Sequence, residues 1–216
     1  MKRIHPAKKI TGTVTLPGDK SISHRAALLG AVSVDGITAH NFSDGADCAS
    51  TLSCLEKAGT DIHRKGTTLS VSAPSGLSSP SSALDAGNSG TTARTLCGLL
   101  AGKPGVRATI TGDASLSKRP MLRIVKPLQS VGAAIDGPEG GASLPLEVTG
   151  KRLRGATHVL ETASAQVKTA LLLAGLSSDE PTTVIEPLAS RDHTERMLAH
   201  LGIPLYIDGH SITMAP

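Results

Sequence analysis

Lys20, Ser21, Ser23 and Arg25 crowd into Leu16-Pro17-Gly18-Asp19-Lys20-Ser21-Ile22-Ser23-His24-Arg25, immediately ahead of the apolar run Ala26-Ala27-Leu28-Leu29. A helix starting here turns its unpaired N–H groups and the positive end of its dipole toward these side chains, an arrangement that holds anions. Lys20 adds a compact charge. Arg25, a turn further in, offers a two-donor grip on an oxyanion. The same residues also suit a capped surface helix, so the motif needs company.

Company follows along the chain. Asp85-Ala86-Gly87-Asn88-Ser89-Gly90-Thr91-Thr92-Ala93-Arg94 sets glycines, Asn88 and hydroxyls before a second apolar run, letting the backbone approach an anion closely. It equally reads as a helix cap, and no Gly-Lys-Ser/Thr follows to make a P-loop. In Gly112-Asp113-Ala114-Ser115-Leu116-Ser117-Lys118-Arg119-Pro120-Met121, Pro120 suits the first turn of a helix. That puts Arg119 at the helix edge, where it can serve a phosphate or carboxylate or simply stand in a surface loop. Ser164-Ala165-Gln166-Val167-Lys168-Thr169 makes Ser164 an N-cap, with Val167 in place of the Glu or Gln of a capping box. Gln166 then lies in the first turn, able to hydrogen-bond a hydroxyl or carboxylate. In Ser190-Arg191-Asp192-His193-Thr194-Glu195, Arg191 precedes a helix whose Asp192 and Glu195 complement the dipole. No nucleophile is spaced to meet Asp192-His193, and His193 reads as structural.

Composition limits what these motifs can bind. Only 19% of the 216 residues are charged, and the net charge of +4 is spread without a Lys/Arg block. There is no Trp, and Phe42 and Tyr206 are the sole aromatics of their types, so no stacking platform for nucleic acid exists. Small anionic ligands fit this balance better than polyanions. Cys48, Cys54 and Cys97 are odd in number and lack zinc or C-x-x-C spacing, which points to a reducing compartment and no metal site. No stretch approaches the roughly 20 apolar residues needed to cross a bilayer, and no signal peptide follows the basic start, so a cytoplasmic chain is expected.

The elements that must carry these residues repeat. An apolar helix (26–32), a strand (37–39), a second helix ending at Gly59 and strands near 60–63 and 68–71 form the first set. The second runs through 91–100, 108–111, a helix ending at Gly132, then 133–135 and 146–148. The third runs through 165–176, 182–185, a helix ending at Gly202, then 204–207 and 211–214. The glycines recur at intervals of roughly 70 residues, as in a repeated supersecondary unit with Gly at the helix C-terminus. Helices rich in Ala and Leu and apolar on most sides suggest burial inside a layer. The expected fold is α/β, three βαβαββ units (about 16–82, 83–150 and 151–216) with approximate threefold symmetry around buried helices. The Gly/Ser/Pro-rich stretches 73–82 and 137–145 read as hairpin loops.

Five of these motifs, L-P-G-D-K-S-I-S-H-R, G-N-S-G-T-T-A-R, G-D-A-S-L-S-K-R-P-M, S-A-Q-V-K-T and R-D-H-T-E-R-M-L, fall in the order of one family. The chain resembles the 5-enolpyruvylshikimate-3-phosphate synthases (3-phosphoshikimate 1-carboxyvinyltransferases) of the shikimate pathway, in the wording of the bacterial class II members. The resemblance implies one lobe of the enolpyruvyl transferase fold. It implies Lys20 as the catalytic candidate touching both substrates, with Ser21, Arg25, Ser164, Ala165, Gln166 and Arg191 as contacts to shikimate 3-phosphate. Gly90, Arg119 and Gln166 are implied contacts to phosphoenolpyruvate. The implied reaction moves a carboxyvinyl group with neither metal nor organic cofactor, because preorganised cations and N–H groups meet two polyanions. Lys20 could assist proton transfer if neighbouring cations lower its pKa.

The resemblance also sets expectations by its departures. Family members run to about twice this length in two lobes. The chain reads as an N-terminal half, incomplete or one piece of a split enzyme, with a complementary C-terminal lobe as partner and no turnover alone. A strand at about Lys9 to Thr15 is expected to pack with that second lobe. The family's Gly-to-Ala change that reduces inhibition by glyphosate is absent at Gly90, although Thr95 stands where many members have Pro. The site is therefore expected to be sterically open to glyphosate. Two rival readings stay open: a UDP-N-acetylglucosamine enolpyruvyl transferase relative, which should carry a Cys near Ser115 to Lys118, and a non-catalytic anion-binding module.

Overall fold

Asp19, Ser89 and Ser164 each accept a hydrogen bond from the backbone N–H three residues on, at 2.8, 3.1 and 3.4 Å, and there the chain turns from extended backbone into helix. These caps satisfy donors that a helix start otherwise leaves unpaired. They open α1 (Lys20–Gly30), α3 (Gly90–Ala101) and α6 (Ala165–Gly175). The computed structural model of the chain describes residues 5–215. Within it α1 is buried from Ser23 onward, α3 everywhere but Thr91, and α6 from Val167 onward. Helices this apolar are stable only when wrapped, and the rest of the chain wraps them.

The wrapping consists of three small sheets and a second set of helices. The first sheet takes β1 (Ile37–Ala39), β2 (Asp61–Lys65) and β3 (Thr68–Ser72) in the order β1-β3-β2. The second takes β4 (Leu84–Asp85), β5 (Arg107–Thr111), β6 (Ala134–Asp136) and β7 (Leu146–Thr149) in the order β4-β5-β7-β6. The third repeats that order with β8 (Thr157–Val159), β9 (Thr182–Ile185), β10 (Leu205–Asp208) and β11 (Ser211–Met214), as β8-β9-β11-β10. The β4–β5 and β8–β9 pairs are parallel and all others antiparallel. The outer helices are α2 (Ala46–Lys57), α4 (Leu122–Ser130) and α7 (His193–His200), and α5 (Pro138–Gly141) is a single distorted turn. Gly59, Gly132 and Gly202 end the outer helices at φ of 90, 104 and 81°, the left-handed conformation that a Cβ penalises.

Two inner helices touch almost backbone to backbone. A Cβ on Gly98 of α3 would stand 2.2 Å from the carbonyl oxygen of Ala170 in α6, which only glycine permits. Around this crossing Leu96, Leu99, Leu100, Leu172 and Ala170 are fully buried, and the core extends into β5 and β7 through Ile110 and Leu146.

Several expectations need correction. Among the described residues, 9–15 are exposed and join no sheet, and the strand expected there, which pairs with a second lobe, stays a proposal. β4 and β8 are strands beyond those expected from sequence, β4 having only two residues in which to show a period. The stretch 137–145 does connect the antiparallel neighbours β6 and β7, whereas 73–82 carries the chain from the first sheet to the second and is no hairpin loop. Among the described residues, no helix is long and apolar enough to cross a membrane.

Candidate functional site

Ser21, in the first turn of α1, receives a hydrogen bond from Arg191 Nη1 at 3.0 Å across 170 residues of sequence. This contact brings the segment before α7 onto the start of α1. Arg25 completes the junction from beneath and is only 4% exposed. Its Nε donates to Thr194 Oγ1 of α7 at 2.7 Å, and its Nη2 to Thr169 Oγ1 of α6 at 2.7 Å and to the Ala165 carbonyl at 3.5 Å. Its Nη1 donates to the Ser21 carbonyl at 2.9 Å. Thus the starts of α1, α6 and α7 meet around one buried guanidinium. Ser164, the cap of α6, lies on the same helix end as Ala165 and Gln166.

A second cluster gathers at the start of α3. Arg94 Nη1 donates to Gln166 Oε1 at 2.9 Å, and Gln166 Nε2 donates to Thr91 Oγ1 at 3.0 Å. Arg119 donates to the Asn88 side chain, whose own Nδ2 donates to Asp113 Oδ2 at 2.6 Å. Gly90 lies between the two arginines: a Cβ there would stand 2.6 Å from Arg94 Nη1 and 3.4 Å from Arg119 Nη1. Gln166 is the joint, since its helix start carries Ala165 in the first cluster while its side chain belongs to the second. Lys20 Nζ donates to Asp47 Oδ2 of α2 at 2.9 Å. Asp47 is tied to α3 in turn by Thr92 Oγ1, which donates to its carbonyl at 3.2 Å.

The electrostatics of both clusters favour an added anion. Burial lowers the Arg94 pKa to about 10, and the positive charges of Arg123 and Arg119 push it the same way. Arg94 leans on the carbonyls of Gly90 and Pro120 and on the Gln166 amide, all uncharged. Burial also lowers the Arg25 pKa, with Glu195 opposing and Arg191 adding to the fall. Among the described residues Arg94, Arg119, Arg123 and Arg191 make no ion pair. Like charges held together without a counterion are stabilised by an anion that reaches them. Lys20 and Arg191 are solvent-exposed, so the face they share is open.

The structure modifies three readings of these residues. Pro120 is outside α4, which starts at Leu122 after Met121, and Arg119 follows a 3-10 turn at Leu116–Lys118. Arg119 therefore reaches the site from a loop and is held by Asn88. Arg25 has all three guanidinium nitrogens engaged inside the fold, so it works chiefly as the junction of three helices. Lys20 stands beside the Asp47 carboxylate rather than among cations. Asp47 and Arg94 are site residues to which sequence reasoning assigns no role, and Asn88, read there as part of an anion-approach loop, is instead the holder of Arg119. Asp47 shows no signal beyond ordinary acidity in a first helical turn, whereas Arg94 is detectable as a lone charge in the apolar run of α3.

Lys168 is a larger surprise. It is 2% exposed in α6, with Nζ 2.6 Å from both Glu186 Oε2 and Glu195 Oε1. Among the described residues, no group of three or more His, Cys, Asp or Glu side chains is placed to hold a metal ion. The three cysteines are buried and free, and burial raises their thiol pKa values, those of Cys54 and Cys97 to about 12.

Comparison with known proteins bears on this geometry. Residues 4–216 match the model of the family described as EPSP synthase (3-phosphoshikimate 1-carboxyvinyltransferase). The 3-phosphoshikimate 1-carboxyvinyltransferase of Geobacillus kaustophilus is 50% identical over 208 residues, which is 95% of this chain and 48% of the relative. That of Bacillus subtilis is 46% identical, over 100% of this chain and 50% of its own. The solved EPSP synthase of Acinetobacter baumannii superposes with a TM-score of 0.89 at 41% identity, over 94% of this chain and 46% of that one. The chain spans about half the length of the curated relatives it matches.

Proposed function

The chain belongs to the EPSP synthase family, and from that premise we propose that it supplies the shikimate 3-phosphate half-site of a carboxyvinyl transferase. The observation that carries the proposal is Arg191 laid on Ser21, with Arg25 beneath, at the meeting of three helix starts. Ser21, Arg25, Arg191 and the Ser164–Gln166 turn are the contacts we assign to shikimate 3-phosphate. Lys20, Gly90, Arg119 and Gln166 are those we assign to phosphoenolpyruvate. Gln166 fits a place between two ligands because its neighbour Ala165 accepts from Arg25 in the first cluster while its own side chain bonds Arg94 and Thr91 in the second. The three units are read as one lobe of the enolpyruvyl transferase fold, with approximate threefold symmetry about α1, α3 and α6.

In the reaction so assigned, the 5-hydroxyl of shikimate 3-phosphate adds to C2 of phosphoenolpyruvate while C3 takes a proton. The tetrahedral adduct then gives up a proton from C3 as the C2–O bond to phosphate breaks, which releases inorganic phosphate and leaves the enol ether. The fold contributes fixed cations and oriented N–H groups whose dipoles need no reorganisation as charge moves. Lys20, aligned by Asp47, is the group that touches both substrates. Turnover is assigned to these residues together with the half of the sequence that the relatives carry beyond this match. Absence of a Cys from Ser115–Lys118 and the family match both favour a shikimate over a UDP-sugar acceptor.

The test is the phosphorus resonance of shikimate 3-phosphate titrated with the chain. A saturable shift, absent with UDP-N-acetylglucosamine, is expected. A response equal for both ligands would leave only a general anion site.

A further inference from the structure

Lys168 is the single charged residue of α6, and its ammonium holds two carboxylates from the two ends of one segment. Glu186 follows β9 and Glu195 lies in the first turn of α7, so the segment between them, which carries Arg191, is anchored at both ends to the same nitrogen. Glu186 Oε2 also accepts from the Ser190 backbone N–H at 3.4 Å, folding the residue before Arg191 onto the same anchor. Next to Glu195, Thr194 bonds Thr169 at 2.6 Å and Arg25 at 2.7 Å. Arg191 itself is exposed, and its contact is the one to Ser21. Its place is therefore set by the segment.

Stability is a poor reason for such a cluster. Desolvating an ammonium and two carboxylates is costly, and apolar residues of like volume often serve a core as well or better. The segment also leaves Glu186 Oε1, Ser190 Oγ, His193 Nδ1 and Glu195 Oε2 buried without a bonding partner among the described residues. What the ion cluster does supply is one defined geometry. Its charge balances only with Arg25, which faces Glu195 from α1.

We propose that Lys168 is a positioning residue for the anion site, whose charge clamps Glu186 and Glu195 and so holds Arg191 against Ser21. The proposal rests on reading Arg191 as a phosphate contact. Lys168→Met keeps the length of the stem and removes the charge. Hydrogen exchange over residues 187–192 should then rise at least tenfold, with exchange in α3 unchanged. Affinity for shikimate 3-phosphate should fall at least tenfold, and adding Arg191→Ala to Lys168→Met should cost nothing further. A folded variant with unchanged exchange over 187–192, or with losses that multiply independently, overturns the proposal. If the exchange rises but the unaltered chain binds no shikimate 3-phosphate, the clamp stands and the substrate assignment fails. Should Lys168→Met not fold, Glu195→Gln, which keeps shape and an acceptor for Nζ, is read by the same exchange measurement with the same two outcomes.

Discussion

Gly90 shows how one missing methyl group can set a site. Its absent Cβ is the space that Arg94 Nη1 occupies on its way to Gln166. Gly90→Ala displaces the end of a flexible side chain, so its cost to folding should stay within about 1 kcal/mol. Its cost at the site should be larger, because Arg94 Nη1 must shift and with it the bond that fixes Gln166. In the enzyme completed by the rest of the relatives' sequence, glyphosate should inhibit the Gly90 form and lose at least tenfold in potency on Gly90→Ala. Equal potency, measured as the inhibition constant against phosphoenolpyruvate, would contradict the crowding read here. Arg25 makes a poorer probe. Its loss strips three helices of buried hydrogen bonds and should cost about 2–4 kcal/mol, confusing folding with binding.

At this scale the sequence was legible wherever a local rule applied. Ser164 caps its helix as its residue type requires, and the polar residues of α1, α3 and α6 cluster at the starts of those helices. Partners were illegible. Nothing local to Lys20 announces Asp47, 27 residues on, and nothing near Arg191 announces Ser21. Lys168 carried a usable signal, a lone charge in an otherwise apolar helix, which implies a buried counterion.

Helices transmit these contacts, and two of them can be interrogated directly. Gly98→Ala drives a methyl group into the Ala170 carbonyl, a backbone atom that cannot swing aside. The variant should lose about 1–3 kcal/mol in denaturant unfolding, more than Gly90→Ala, although both are Gly→Ala in one helix. Equal losses would mean that α3 and α6 are not locked at this crossing. His24 ties α1 to Thr51 of α2 at 2.7 Å and is fully buried. Burial, with Lys20 and Arg25 adding to it and Asp47 opposing, lowers its pKa from 6.5 to about 4. Protons therefore bind the unfolded chain more readily. The stabilisation from His24 is complete above pH 6.5 and is lost as pH falls toward 4, to a limit of about 3 kcal/mol. Unfolding free energy measured between pH 7 and 4 should fall less steeply in His24→Gln.

Periodicity located the helices and the longer strands, because burial on one face or all round leaves a pattern. The two-residue β4 left none, and β8, as short as β1 and β6, stood out by no pattern of its own. Residues 9–15 have strand-forming composition and join no sheet among the described residues, since the edge expected for them belongs to a second lobe.

Viewed whole, the molecule directs the capped starts of its three buried helices toward one cationic face and surrounds the rest with small sheets. The pattern explains how modest motifs far apart in sequence act as one site: each needs only to begin a helix, and the packing of α1, α3 and α6 does the assembly. It also explains why net charge, at +4, gave little hint of the site's cationic character. We propose that this face recognises shikimate 3-phosphate and not phosphate alone. Calorimetric titration of the chain with shikimate 3-phosphate, beside inorganic phosphate, separates the two cases, with Arg191→Ala as the exposed and structurally mild control. Saturable binding at least tenfold tighter than phosphate, lost in Arg191→Ala at unchanged thermal stability, is the outcome expected. Equal affinity for the two ligands in a fully folded chain would contradict it.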